Sequence, residues 1–218
     1  MVSLLPSPFI FNAHYAKGYS TFLPTIIKGL GDWDTAQTQA LTIPCYALGA
    51  ITYLLVARLS DAHQERGLYV VICGTISIVG YGILIADVSS GVHYLATCLV
   101  AIGLYVCVGL PLAWLPANSP RYGKRTTASG LQLTIGNAGG IGAPFYYATK
   151  DAPRYIKGQA ITLGLVACAT LLYGFLSLYF TKRNAERREG KEDYKTAGKS
   201  EEEIAELGDE NPAFIFTK

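Results

Sequence analysis

Charge is what this sequence has little of, and the shortage is uneven. Of its 218 residues, 18 are basic and 16 acidic. Residues 182–218 hold 8 of the basic and 10 of the acidic residues, so the first 181 positions carry only 10 and 6. A soluble domain has about a quarter of its residues charged. The deficit excludes an ordinary soluble enzyme domain as first choice. It also excludes a nucleic-acid partner, because no face holds enough Lys and Arg to displace counterions from a phosphate backbone. Other chemistry is missing too. The five cysteines, Cys45, Cys73, Cys98, Cys107 and Cys168, show no CxxC spacing, and the three histidines make no HExxH pattern. These spacings point to no disulfide frame and no metal site. No cofactor is expected.

What is present fills the gaps between the charges. Asp34 to Arg58 encloses 23 uncharged residues, Arg66 to Asp87 20, Asp87 to Arg121 33, Arg125 to Lys150 24, and Lys157 to Lys182 24. A helix needs about 20 apolar residues to cross roughly 30 Å of hydrocarbon at 1.5 Å per residue. Five successive runs meet that length. Buried helices of a large soluble core are the alternative, but in water each should show a polar face. A sixth span is expected around 8–29, irregular near Tyr15–Tyr19. The sequence therefore predicts an all-α membrane protein of about six transmembrane helices over residues 1–181, followed by a charged cytoplasmic tail over 182–218.

Orientation follows from Lys and Arg, which concentrate on the cytoplasmic side. With both termini inside, the inner connectors carry Arg58, Arg66, Arg121, Lys124, Arg125, Lys182, Arg183, Arg187 and Arg188. The outer ones carry Lys28, Lys150, Arg154 and Lys157, offset by Asp32, Asp34, Asp87 and Asp151. The tail beyond Gly190 is expected to be disordered or loosely helical. Its end, Asp209–Phe216, carries a weak signal for a short docking segment.

Within the spans a few residues stand out. The connector Arg58–Arg66 alternates in sign, which suits either a tie between two helix ends or simple topology marking. Trp114 reads as an interfacial anchor ahead of a residue facing a substrate path. Gln132 and Asn137 are amides at membrane depth, and each needs an interhelical bond or a wet cavity. Gly136, Gly140 and Pro144 recur every four residues, which places them on one face of a helix and permits close packing. The run Gly136–Gly142 lacks the GxGxxG spacing and no strand precedes it, so it is no nucleotide loop.

Several of these stretches carry a family likeness. The loop Arg58-Leu-Ser-Asp61 … Glu65-Arg66-Gly67 resembles the second-to-third helix loop of a major facilitator superfamily half. A longer series is similar to the C-terminal six-helix half of the fungal anion:cation symporter, allantoate permease-like, family. It runs from Phe22-Leu-Pro24 through Trp114-x-x-x-Asn118, Lys124-Arg125, Gly136-Asn137-x-Gly139-Gly140 and Asp151-Ala-Pro153-Arg154-Tyr155 to Gly208-Asp209-x-Asn211-Pro212-x-Phe214. Arg121 and Lys17 depart from the family pattern.

The resemblance implies symport of small organic anions such as allantoate, nicotinate or pantothenate with a proton, by alternating access, in the plasma membrane. Its partners would be the lipid bilayer and a missing N-terminal six-helix half or a partner chain. Substrate-facing candidates on this reading are Tyr15, Tyr19, Phe22, Trp114, Asn118, Gln132, Asn137 and Tyr146. Arg58, Asp61 and Arg66 form the loop motif, and Gly136, Gly140 and Pro144 the packing stripe. The clear spans hold no Asp, Glu, Lys or Arg, so the charge chemistry of transport is expected mainly in the other half. The rival readings are a non-transporting fragment that pairs with a full-length relative, and a membrane enzyme. For the enzyme no converging acid, base or nucleophile is present.

Overall fold

The structure is a computed structural model and describes residues 19–20, 22–138, 141, 143–147, 151–152 and 154–218. Its helices are α1 (Thr35–His63), α2 (Arg66–Ile85), α3 (Ser90–Ala117), α4 (Tyr122–Ala138), the single turn α5 (Ala143–Tyr146), α6 (Ile156–Arg188) and α7 (Glu201–Leu207). Residues 22–28 are also helical. No strand occurs among the described residues. We call the end of the bundle that bears the 64–66 and 118–121 connectors the lower end, and the other the upper end.

Helix starts and stops follow local chemistry. At the upper start of α1, Asp34 Oδ1 accepts from the Thr35 N–H at 2.6 Å, and Gln37 Oε1 accepts from the Asp34 N–H at 3.1 Å. Together with the N3 contact this makes a capping box that satisfies otherwise orphaned donors. The helix stops at the lower end where Gln64 turns left-handed, with φ of 55°. The upper end of α2 has no glycine cap. Arg154 supplies the donors instead, to the Ile85 and Ala86 carbonyls at 3.2 and 2.8 Å.

Helices α2 and α3 form the tightest pair, with α6 across α2 and α1 against α3. Glycine makes the α2–α3 approach possible. A methyl at Gly103 would run into the Cys73 carbonyl and the Ser77 hydroxyl, and would lie 3.0 Å from Ser77 N. Lipid gives no hydrophobic contrast between helices, so such backbone contact is a main source of association. The core holds Tyr81, Val100, Leu104, Trp114, Tyr173 and Phe180. The outer faces are equally apolar, with Ile51, Leu54 and Leu55 on α1 and Leu171, Phe175 and Leu178 on α6 all exposed. Helices apolar on every side suit lipid rather than water.

Among the described residues four helices, α1, α2, α3 and α6, are long and apolar enough to cross a membrane. They coincide with four of the expected spans, and the all-α membrane architecture is as expected. Of the expected 126–149 span the structure describes a helix that starts at Tyr122 and is followed to Ala138, and the turn α5; residues 139–140, 142 and 148–150 lie outside the described residues. Gly136 is buried, Pro144 is exposed, and Gly140 lies outside the described residues, so the structure does not display the three as one packing face.

The tail beyond Gly190 is not disordered. It forms a turn at Asp193–Lys195, then α7, capped by Ser200 and Glu203, then an extended stretch that returns to the bundle. Helix α7 matches the helical alternative for the tail, and the weak docking signal at Asp209–Phe216 marks the part that returns, where the apolar residues Phe214 and Phe216 are spent. Phe216 is 3% exposed and packs into the main core.

Candidate functional site

At the upper end, α2, α3, α6 and the 22–30 segment enclose a cavity of 270 Å³, lined in part by Ile26, Leu30, Leu84, Asp87, His93 and Gln159, with Arg154 at its side. Arg154 lies just before α6 and reaches across to the end of α2, where it pairs with Asp87 at 3.1 Å. His93 is buried on the first turn of α3, its Nε2 3.1 Å from the Ala86 carbonyl. Gln159 is 1% exposed, and its Oε1 has no hydrogen-bond partner. A buried amide oxygen without a donor costs about 1–3 kcal/mol, so Gln159 beside this cavity carries an unmet demand for a hydrogen-bond donor.

An aromatic cluster adjoins the cavity through Ile26. Phe22 stacks on Tyr147 with ring centroids 4.9 Å apart, and Tyr147 leans on Tyr155 at 6.2 Å. The Tyr147 hydroxyl lies 3.1 Å from Thr162 Oγ1 on α6. Gly158 sits where the chain passes this cluster, since a methyl there would be 2.8 Å from the Tyr146 carbonyl. The arrangement offers flat apolar walls, one paired cation and one unsatisfied acceptor. It offers binding chemistry. Among the described residues no group of His, Cys, Asp and Glu could hold a metal ion.

The sequence candidates fall in three places. Phe22 and the half-buried Tyr146 belong to the upper aromatic cluster. Tyr19 lies deeper, where its hydroxyl donates to the Thr97 carbonyl at 2.6 Å and its ring meets Tyr81 edge-on. Tyr15 lies outside the described residues. On α4, Gln132 is buried with Oε1 unpartnered, whereas Asn137 is exposed. Trp114 and Asn118 are at the lower end, away from the others. Trp114 is fully buried between Tyr173 and Phe180, not an interfacial anchor, and its Nε1 donates to the Thr217 carbonyl at 2.8 Å. Asn118 spends both amide atoms on Thr217. In the loop motif, Arg66 pairs with Asp61 at 2.9 Å and Arg58 is exposed.

Reasoning from sequence missed Arg154, His93, Gln159, Tyr147 and Tyr155 as neighbours. Arg154 counted as a topology charge, although a lone arginine beside a helix terminus also signals a carbonyl cap. Gln159 was visible as an amide at the start of an apolar run.

The chain is similar over most of its length to known transporters. It is 44% identical to an uncharacterized transporter of Schizosaccharomyces pombe over 78% of this chain and 34% of that protein. It is 31% identical to a major facilitator-type transporter of Emericella nidulans over 93% of this chain and 42% of that protein. It is 28% identical to the high-affinity nicotinic acid transporter of Saccharomyces cerevisiae over 91% of this chain and 37% of that protein. The chain thus spans 34–42% of the length of these relatives. No family model and no solved structure matches it.

Proposed function

We propose that this chain is the C-terminal half of a major facilitator-type transporter for small organic anions, and that nicotinate-like carboxylates are the first class to test. Similarity to transporters across most of the chain is the observation that carries the transport reading. The named nicotinic acid transporter among the relatives favours a small aromatic carboxylate. The upper cavity fits that chemistry. Arg154 offers a cation, Gln159 a side-chain amide, and Ile26, Leu30 and Leu84 apolar walls, with the Phe22–Tyr147 aromatic cluster adjoining through Ile26.

An anion leaving water needs a charge or fixed dipoles to replace its hydration. Arg154 already faces Asp87, so an incoming carboxylate would compete with Asp87 for it. Proton coupling needs a titratable group at membrane depth. The clear spans of this chain contain no Asp or Glu, so we assign the coupling carboxylate to the other half and the plasma membrane to the complete protein. Transport would proceed by rocking of the two halves about a site near the midplane. Gln132 and Asn137 on the lightly packed α4 are the deeper substrate-facing candidates. Trp114 and Asn118 are not, because residue 217 occupies their polar atoms.

The test is uptake of labelled nicotinate, allantoate and pantothenate by cells expressing the complete reading frame, with and without a pH gradient. Uptake driven by an inward proton gradient, with a KM raised by Arg154→Ala and by Gln159→Leu, is the expected result. Uptake of none of these carboxylates, or variants with unchanged KM, would overturn the substrate assignment.

A further inference from the structure

Residues 209–218 cross the lower end of the bundle, and the bundle reads their main chain unit by unit. Asn184 on α6 donates from Nδ2 to the Phe216 carbonyl at 2.8 Å and accepts the Phe216 N–H on Oδ1 at 2.9 Å. Asn118, at the end of α3, does the same for Thr217, at 3.0 and 2.9 Å. Successive units of an extended chain point to opposite sides, so two asparagines on different helices grip adjacent residues. The next unit is held by backbone: the Gly67 N–H of α2 donates to the Lys218 carbonyl at 3.0 Å, and Lys218 N–H donates to the Gln64 carbonyl at 3.3 Å.

Side chains add selectivity. Phe216 stacks on Phe180 with centroids 4.7 Å apart, and the Arg187 guanidinium lies 4.6 Å from the centre of its ring. Arg187, with a fully buried side chain, also donates to the carbonyls of Phe214 and Asp209. The Asp209 carboxylate accepts from Lys124 of α4 at 2.7 Å. Four helices therefore meet on one short segment. Residues 197–200, which join it to the rest of the chain through α7, are all exposed.

We propose that the lower end of the bundle is a peptide-binding site and that segment 209–218 is its intramolecular ligand. The segment acts as a strap, held by recognition rather than by its covalent link, that ties the ends of α2, α3, α4 and α6 together. The ligand class is a peptide with an acidic residue and Asn-Pro in a turn, followed by an extended end that carries two phenylalanines separated by one residue. Any separation of these helix ends must first release it. The proposal does not depend on the transport reading.

A protease site inserted between Gly198 and Lys199 tests it in the otherwise intact chain in lipid nanodiscs. After cleavage the fragment 199–218 is expected to co-elute with the bundle. Excess synthetic peptide of sequence 209–218 should displace it, and a scrambled peptide should not. Asn184→Ala should speed its release by about tenfold or more, from the loss of two buried hydrogen bonds. As a second arm, the chain truncated after Gly198 and shown to be helical is titrated with the fluorescent 209–218 peptide, and saturable binding is expected. Immediate loss of the fragment from a bundle that stays helical would overturn the proposal. So would equal displacement by the scrambled peptide, or no saturable binding in the second arm.

Discussion

Replacing Asn184 by alanine should loosen the tail locally without unfolding the bundle. The residue is 3% exposed and makes two hydrogen bonds to Phe216, one in each direction. Its removal leaves a buried N–H and a buried carbonyl unpaired, at about 1–3 kcal/mol each. Water entering the vacated space recovers part of this, so a net loss of about 2–4 kcal/mol is expected. Because 1.4 kcal/mol is a factor of ten, amide exchange at residues 216–217 should accelerate by about 30- to 1000-fold, through opening of the segment alone. Hydrogen–deuterium exchange with mass spectrometry in nanodiscs reads this directly. Asn184→Asp supplies an internal check. Its carboxylate keeps the acceptor for the Phe216 N–H but sets a second oxygen against the Phe216 carbonyl, so protection at neutral pH should be low, as in the alanine variant. Exchange unchanged within about threefold would show that the two bonds carry no net stabilisation. Protection lost equally throughout α2, α3 and α6 would show that Asn184 supports the whole bundle and not the segment.

Three other outcomes are expected. Burial pushes the Glu192 carboxyl up, but hydrogen bonds from Arg187 and Lys195 and the charges of Arg183 and Arg187 outweigh it and hold the group below its ordinary value. A depressed folded-state pKa gives stabilisation that is present above the unfolded pKa, about 4.3, and is lost as pH falls through the folded value. Tail protection should therefore decline in acid, and Glu192→Gln should flatten that part of the profile. Gly103→Leu would drive a side chain into the α2 backbone, costing about 1–3 kcal/mol or more. It should lower the thermal midpoint seen by size-exclusion chromatography, while Gly82→Leu, with open space beside it, should not. Cys168, exposed in the middle of α6, should resist a charged thiol reagent in the bilayer and react once the protein is denatured. Rapid labelling in the bilayer would place that face in water.

Much of the bundle was legible because membrane helices are specified by composition over short windows. The uncharged runs marked the starts of α1, α2, α3 and α6 to within two residues, while α1 and α6 run on into charged sequence to His63 and Arg188, since every backbone group in lipid must be satisfied within its own helix. The expected first span, 8–29, and the end of the 126–149 stretch fall partly outside the described residues. Side-chain roles were least legible. Asn118 and Trp114 enter as substrate candidates through the family resemblance, and Trp114 reads first as an interfacial anchor, because sequence does not say which partner a polar atom meets. Their partner is Thr217, 99 and 103 residues away.

The sequence alone therefore determined the medium. Sixteen charges in 181 residues make lipid the first choice, and uncharged runs of 20 residues or more select helices over the shorter strands of a barrel, because hydrocarbon accepts no unpaired backbone. Only the tertiary structure decided how the polar remainder is used. It turned Arg154 from a topology mark into a cap on α2, and a charged tail into a strap on four helices. The reason is that hydrophobic spacing is a local code, whereas the pairing of a buried donor with its acceptor depends on elements distant in the chain that meet only once the bundle has packed.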